Sequence, residues 1–292
     1  MSDSEFKEFL ALQLSRASLK KSIVEELLKD LDSWKKCFTH KTFDEKTNYE
    51  TLEFYGDKIV MSGAANFIRH NFGDSVNTPV WLTRIYHHIV SSKVLAAVGM
   101  KQGFGKFLRI NRDLIREDLT KKNVPNYIPI EDHKVYRSIV EDTIEAFFGQ
   151  LSIALEKKIS RGASVEICSR ILDSYYRSAK IDISYENLFD PVTRIKELYQ
   201  SKLKWIETDL DSNGRKYKTK YLVEEVGLHD GSNIYTYRVY GWLGKKNIRE
   251  NDKTQISEYS HWDSDVAKVE ACKLALTFLK KKGISTIPPN KK

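Results

Sequence analysis

Two pairs of carboxylates stand at helical spacing in this 292-residue chain. In "NYETLEFYGDKIV", residues 48–60, Glu53 and Asp57 are four apart, and Glu50 lies one turn before Glu53. In "VEDTIEAFFG", residues 140–149, Asp142 and Glu145 are three apart. Such spacing puts each pair on one helix face, where like charges repel by a few tenths of a kcal/mol. Something should offset that repulsion. The plainer reading is two solvated acidic faces, with Gly56 merely allowing another helix to pack closely. Against it, Ile144, Ala146, Phe147 and Phe148 want burial, and Leu52, Phe54, Tyr55, Ile59 and Val60 leave little room for a solvent-facing stripe. Two apolar helices that each present such a pair can meet to form a cage of four carboxylates. Hard oxygen ligands without His or Cys select Mg²⁺ or Mn²⁺ rather than zinc. The histidines offer less: His87 and His88 are neighbours and point to different faces, and His40 in "THKT" suits a helix-end hydrogen bond better than catalysis.

The elements that must carry these residues fall into two textures. From Glu5 to about Lys180, apolar residues recur at helical spacing, as in "SIVEELLKDL", "KIVMSGAANFI" and "VEDTIEAFFGQLSIAL", which predicts an all-helical half. Then Asp190 and Pro191 suit the cap and first turn of a helix. Alternating β-branched and aromatic stretches follow, "YKTKYLVEEV" and "NIYTYRVYGW", joined by "GLHDGS", and then a weaker strand near "QISEYSHW". The helix "DVAKVEACKLALTFLKKKG" ends in lysines before Gly283, as helix ends prefer. The order is helix, three strands, helix, and "STIPPNKK" reads as a frayed tail.

Composition sets the outer limits. Hydrophobic residues are 41% and charged residues 30% of the chain, the balance of a globular protein. No apolar run approaches a membrane span, and "MSDSEFKEFL" lacks the basic start and apolar stretch of a signal peptide. Three scattered cysteines without a C-x-x-C pattern argue against a disulfide or zinc framework. The expectation is an intracellular, reducing compartment, cytoplasm or nucleus, with no membrane partner and no small-molecule cofactor. The net charge is +8, and most of the surplus lies after residue 189, which makes a polyanion the default partner of that part.

"FTHKTF" followed by "NYETLEFYGDKIV" resembles the signature of the ribonuclease III family, and "VEDTIEAFFGQL" resembles its second acidic motif. "RIYHHIVSSKVLAAVGMKQGFGKFLRI" follows the intervening helices, and "DPVTRIKELYQ" through "ACKLALTFL" resembles a double-stranded-RNA-binding domain. The resemblance implies an all-α endonuclease domain over 1–182, a linker over 183–189, an α-β-β-β-α RNA-binding domain over 190–283 and a tail over 284–292. It places the family's four metal-binding carboxylates on Glu53, Asp57, Asp142 and Glu145, and an additional acidic residue on Glu50, as support for the site or contact to substrate. A further acidic residue expected before the next helix is replaced by the stretch Asn77 to Pro79.

The same resemblance implies metal-dependent hydrolysis of double-stranded RNA to 5′-phosphate and 3′-hydroxyl ends with short 3′ overhangs, by a homodimer with Phe54 at its interface. An ordinary core Phe is the competing reading of Phe54. For the RNA-binding part it points to Thr193, Lys196, Glu197, His229 and Lys268. In "DSDVAK" only Lys268 remains of the family's basic helix start, and Asp265 stands where a cation is expected, so phosphate contacts are fewer. Lys216, Lys218, Lys220, Lys245 and Lys246 could compensate, or could simply solvate strand edges. Two other readings stand beside the nuclease: a non-enzymatic RNA-binding or ribosome-associated protein of the same fold, and a binder of small duplex RNAs that blunts RNA silencing.

Overall fold

The computed structural model describes residues 2–72, 78–122, 124–202, 222–228, 234–241 and 254–287. The chain divides into two compact units, Met1–Asp182 and Ile183–Lys292.

In the first unit the described residues form α1 (Asp3–Ser15), α2 (Lys21–Leu27), α3 (Leu31–Cys37), α4 (Glu50–Phe72), α5 (Pro79–Ile89), α6 (Ser92–Gln102), α7 (Arg112–Lys121), α8 (Lys134–Lys158) and α9 (Arg161–Ala179). Local chemistry sets several starts: Ser2, Asp30, Ser91, Asn111 and Ser160 each accept a backbone N–H of the first turn with their side chains. α8 is the axis of the unit. It buries residues on every side, among them Ile139, Val140, Ile144, Phe147, Phe148, Leu151 and Leu155, because α3, α4, α6 and α9 all pack against it. Trp34 on α3 packs its ring on Phe147 and donates its indole N–H to the Leu27 carbonyl at 2.9 Å. Phe6, Phe9, Phe38, Phe104 and Phe107 form an aromatic cluster that ties α1 to the chain after α3 and to the turn after α6.

The α4–α8 contact is the closest in the unit. A Cβ on Gly56 would lie 1.6 Å from the Glu145 carbonyl oxygen, and one on Gly149 would lie 2.1 Å from the Leu52 carbonyl oxygen. The two helices therefore touch backbone to backbone, and both positions need a residue without a side chain. α4 turns Leu52, Gly56, Val60, Gly63, Ala64, Phe67 and Ile68 inward. The expectation that its apolar residues leave little room for a solvent-facing stripe is corrected here: Phe54 is 64% and Tyr55 52% exposed. Phe54 lies nearly opposite Gly56 on the helix and Tyr55 about 100° round from it, so the Gly crossing that buries one face leaves these rings outward.

In the second unit, residues 183–189, read in the sequence as a linker, contain one helical turn, α10 (Tyr185–Leu188), with Tyr185, Leu188 and Phe189 buried. Then come α11 (Pro191–Lys202), β1 (Leu222–Leu228), β2 (Tyr235–Gly241), β3 (Thr254–His261) and α12 (Ser264–Lys281). Asp190 starts α11, its side chain accepting the Thr193 N–H at 2.8 Å. The sheet is antiparallel in the order β1-β2-β3, with Tyr237 opposite Tyr259 and Arg238 opposite Glu258. One core joins both helices to the sheet: Ile195, Leu198 and Tyr199 from α11, Tyr237, Val239 and Ile256 from the strands, and Ala267, Ala271, Cys272, Ala275, Leu276 and Leu279 from α12. α12 ends at Gly283, whose φ of +78° lets the Ile284 N–H reach back to the Leu279 carbonyl at 3.0 Å. Ile284 packs on the core, so the expected tail is anchored at its first residue.

Cys37, Cys168 and Cys272 are buried and free of disulfides. Among the described residues, no helix is long and apolar enough to cross a membrane.

The helix crossing generates a direct test. Gly56→Ala should destabilise the first unit by about 3 kcal/mol or more, since main chain cannot give way as a side-chain tip can. Gly162→Ala, where a Cβ meets nothing within 4 Å, should be neutral or stabilising by up to about 1 kcal/mol. Paired thermal or urea unfolding of the two variants checks this.

Candidate metal centre

The Gly56–Gly149 contact fixes which side chains of α4 and α8 meet. Gly56 lies between Glu53 and Asp57, and the backbone it touches is that of Glu145. Glu53, Asp142 and Glu145 each present a carboxylate oxygen, and these oxygens lie within 4.8 Å of one another. Among the described residues, no Lys or Arg side chain pairs with any of the three. Glu145 is 8% exposed.

Their protonation shows the strain of that assembly. Burial pushes the Glu145 carboxyl up to about 8, with Glu141 and Asp57 adding repulsion. Burial likewise pushes Glu53 up to about 7, with Asp142, Glu50 and Asp57 contributing. Asp142 is also raised by burial, although the Tyr49 hydroxyl and the charge of Lys41 favour its ionised form. Three mutually repelling carboxylates, short of compensating cations, are what a hard divalent ion would neutralise. The donor chemistry therefore fits Mg²⁺ or Mn²⁺, and Glu53, Asp142 and Glu145 are the residues that would hold it.

The other sequence candidates divide. Asp57 stands near enough for its charge to raise Glu53 and Glu145, yet it is not in the cluster of three, and its Oδ2 pairs with Lys58 Nζ at 2.5 Å. Glu50 turns away to Lys41, Oε1 to Nζ 2.9 Å. Phe54 is outward, so it is no core Phe. His40 caps its own loop: its Nδ1 accepts the Thr42 N–H at 3.2 Å and meets the Thr42 hydroxyl at 2.8 Å, and burial lowers its pKa. Asn77 lies outside the described residues.

Sequence reasoning passed over two neighbours of the cluster. Glu141 is half-buried with a raised pKa, from burial first, and it repels both Glu145 and Glu53. Its signal was available, because Glu141 and Glu145 are four apart. Tyr49 donates its hydroxyl to Asp142 Oδ2 at 2.9 Å across 93 residues of sequence, and no local pattern announces that contact.

In the second unit, Lys196 is exposed and Thr193 half-buried. Glu197 accepts the Tyr185 hydroxyl at 3.0 Å. Lys268 is half-buried, close enough to Cys272 to offset part of the burial that pushes that thiol up to about 12. Asp263 caps α12 by accepting the N–H groups of Asp265 and Val266. His229, Lys216, Lys218, Lys220, Lys245 and Lys246 lie outside the described residues.

No protein-family model matches the chain. Among curated proteins it is 27% identical over 189 residues to the "Putative ribonuclease 3" of Frog virus 3 (isolate Goorha), covering 63% of this chain and 46% of that protein. It is 26% identical over 164 residues to the ribonuclease 3 of Shewanella sediminis (strain HAW-EB3), covering 56% of this chain and 62% of the relative. The matches thus span less than two thirds of either relative's length. Among solved structures, the nuclease domain of ribonuclease III from Campylobacter jejuni aligns with a TM-score of 0.39 at 20% identity, over 58% of this chain and 97% of that domain, too slight a likeness to argue from. With both acidic motifs present, the chain is thus similar in sequence to curated ribonuclease 3 proteins of viral and bacterial origin.

Proposed function

We propose that this protein is a metal-dependent endoribonuclease that hydrolyses double-stranded RNA to 5′-phosphate and 3′-hydroxyl products with short 3′ overhangs, acting as a homodimer. The observation that carries the reading is the convergence of Glu53, Asp142 and Glu145 from two helices into one group of oxygens. When bound, a divalent cation supplies Lewis acidity at the scissile phosphate. The carboxylates hold the ion, and Asp57, beside them, adds negative potential and is a candidate fourth ligand once released from Lys58. No covalent protein nucleophile is needed. Phe54 and Tyr55, exposed side by side on α4 with ring centroids 5.6 Å apart, suit the dimer contact.

The second unit is assigned in this proposal to duplex binding, supported by its α-β-β-β-α order and antiparallel sheet. Thr193, Lys196 and Glu197 on α11 and Lys268 on α12 are its candidate contacts. Of these Lys196 is the exposed cation, while Asp263 and Asp265 at the start of α12 repel phosphate there.

Incubating the protein with long duplex RNA and Mg²⁺ or Mn²⁺ should give discrete short duplex products. Glu145→Gln should slow cleavage by more than about 100-fold, since even outer partners of a metal ligand are worth roughly 10- to 100-fold. Intact RNA with both metals would remove the nuclease reading and leave the binder. Cleavage by Glu145→Gln at the wild-type rate would remove this site alone.

The raised carboxyls also predict a pH dependence for the metal-free protein. Glu53 and Glu145 have ordinary values near 4.5 and folded values of about 7 and about 8. Between these values the folded state holds protons that the unfolded chain has lost, so stability falls as pH rises from about 4.5 to 8 and then levels off. Mn²⁺ should reverse the loss, most strongly near pH 8, and release protons on binding. Thermal melts from pH 5 to 9, with and without Mn²⁺, check this.

For the RNA-binding unit, Lys196→Ala should weaken duplex affinity and reduce the slope of log affinity against log salt by about 1. Filter-binding titrations with Glu145→Gln as background measure both.

A further inference from the structure

Tyr49 is the last residue before α4 and is 2% exposed. Its backbone is committed in both directions. The carbonyl accepts the N–H groups of Leu52 at 2.8 Å and Glu53 at 2.9 Å, which opens the helix that carries Glu53. Its N–H donates to the Thr39 carbonyl at 3.0 Å. Thr39 lies in a short parallel bridge with Arg109, the His40 N–H donating to the Arg109 carbonyl at 2.9 Å and the Arg109 N–H to Phe38 at 2.7 Å. The Thr39 hydroxyl also accepts the Arg109 guanidinium at 3.2 Å. The main chain of Tyr49 is thus pinned to the α3–α4 connection and to α4, while its phenol crosses to α8 and donates to Asp142 Oδ2 at 2.9 Å.

This geometry spans the two halves of the proposed metal centre through one residue. Asp142 is an acceptor-only group when ionised, and its side chain can rotate away from neighbouring carboxylates that repel it. A buried phenol on a fixed backbone removes that freedom. We propose that Tyr49 is a positioning residue: its hydroxyl holds Asp142 so that a carboxylate oxygen stays beside those of Glu53 and Glu145 before a cation arrives. The proposal rests on the metal-centre reading given above. It is specific to the hydroxyl, because Phe at this position would fill the same space without a donor.

The test is Mn²⁺ binding to the full-length protein, followed by calorimetry or by the electron paramagnetic resonance signal of the free ion. Tyr49→Phe should weaken Mn²⁺ binding about 10-fold or more. In cleavage of duplex RNA it should raise the metal concentration for half-maximal rate by a similar factor, with little change in the rate at saturating metal. The control is Tyr175→Phe. Tyr175 is 0% exposed and its hydroxyl donates to Gln13 Oε1 at 3.0 Å, so this variant loses a buried tyrosine hydrogen bond away from the carboxylates. Tyr175→Phe should lower the melting temperature comparably and leave Mn²⁺ affinity within twofold of wild type. Mn²⁺ affinity of Tyr49→Phe within twofold of wild type overturns the proposal, as does an equal loss in both variants. If wild type binds no Mn²⁺, or Glu145→Gln binds it as tightly as wild type, the metal centre itself is overturned and the role of Tyr49 falls with it.

Discussion

Two glycines set the geometry on which the rest depends. Gly56 and Gly149 let α4 and α8 cross with main chain against main chain, and this crossing brings Glu145 to the level of Glu53. Any side chain at either position would push the helices apart by the width of a methyl group. The carboxylates would then sit too far apart to share one ion, and the core between the helices would open. Packing and chemistry are the same constraint here: the contact that excludes water from the helix interface also raises the cost of the charges beside it.

That cost explains why the site is neither fully core nor fully surface. Glu53 and Asp142 are half-buried and Glu145 is nearly sealed, so ionising all three together is unfavourable without compensating charge. Lys41 and Lys58 stand at the rim, engaged with Glu50 and Asp57. The outer acids are thus neutralised by protein, and the inner three are left for something else. The part of the chain after residue 182 solves a different problem, stacking two helices on one side of a small sheet whose strands read as alternating residues.

Much of this was legible in the sequence because it is periodic. Acid pairs at four- and three-residue spacing, within apolar helices, mark Glu53 with Asp57 and Asp142 with Glu145 as residues that share faces, and strand alternation with Gly-rich turns marks β2. What could not be read depends on the crossing itself. The outward rings of Phe54 and Tyr55 look like core residues until the position of Gly56 against α8 decides which face of α4 is buried. The bond from Tyr49 to Asp142 joins residues with no local relation, and it exists because α4 begins where the turn after Thr39 leaves it. Glu50 and Asp57 carry the same charge as Glu53, and the positions of Lys41 and Lys58, which pair with them, set their surroundings apart from those of Glu53.

The three cysteines bear on how the molecule can be studied. All are buried, and burial holds the thiols of Cys168 and Cys272 near 12 and that of Cys37 higher still. The reactive and chelating form of cysteine is the thiolate, which these side chains do not adopt near neutrality while the fold persists. Metal titrations can therefore be run without added thiol reductants, themselves competitors for Mn²⁺. A single cysteine engineered on the surface would be the one site open to a maleimide dye, and labelling of the native three would report unfolding.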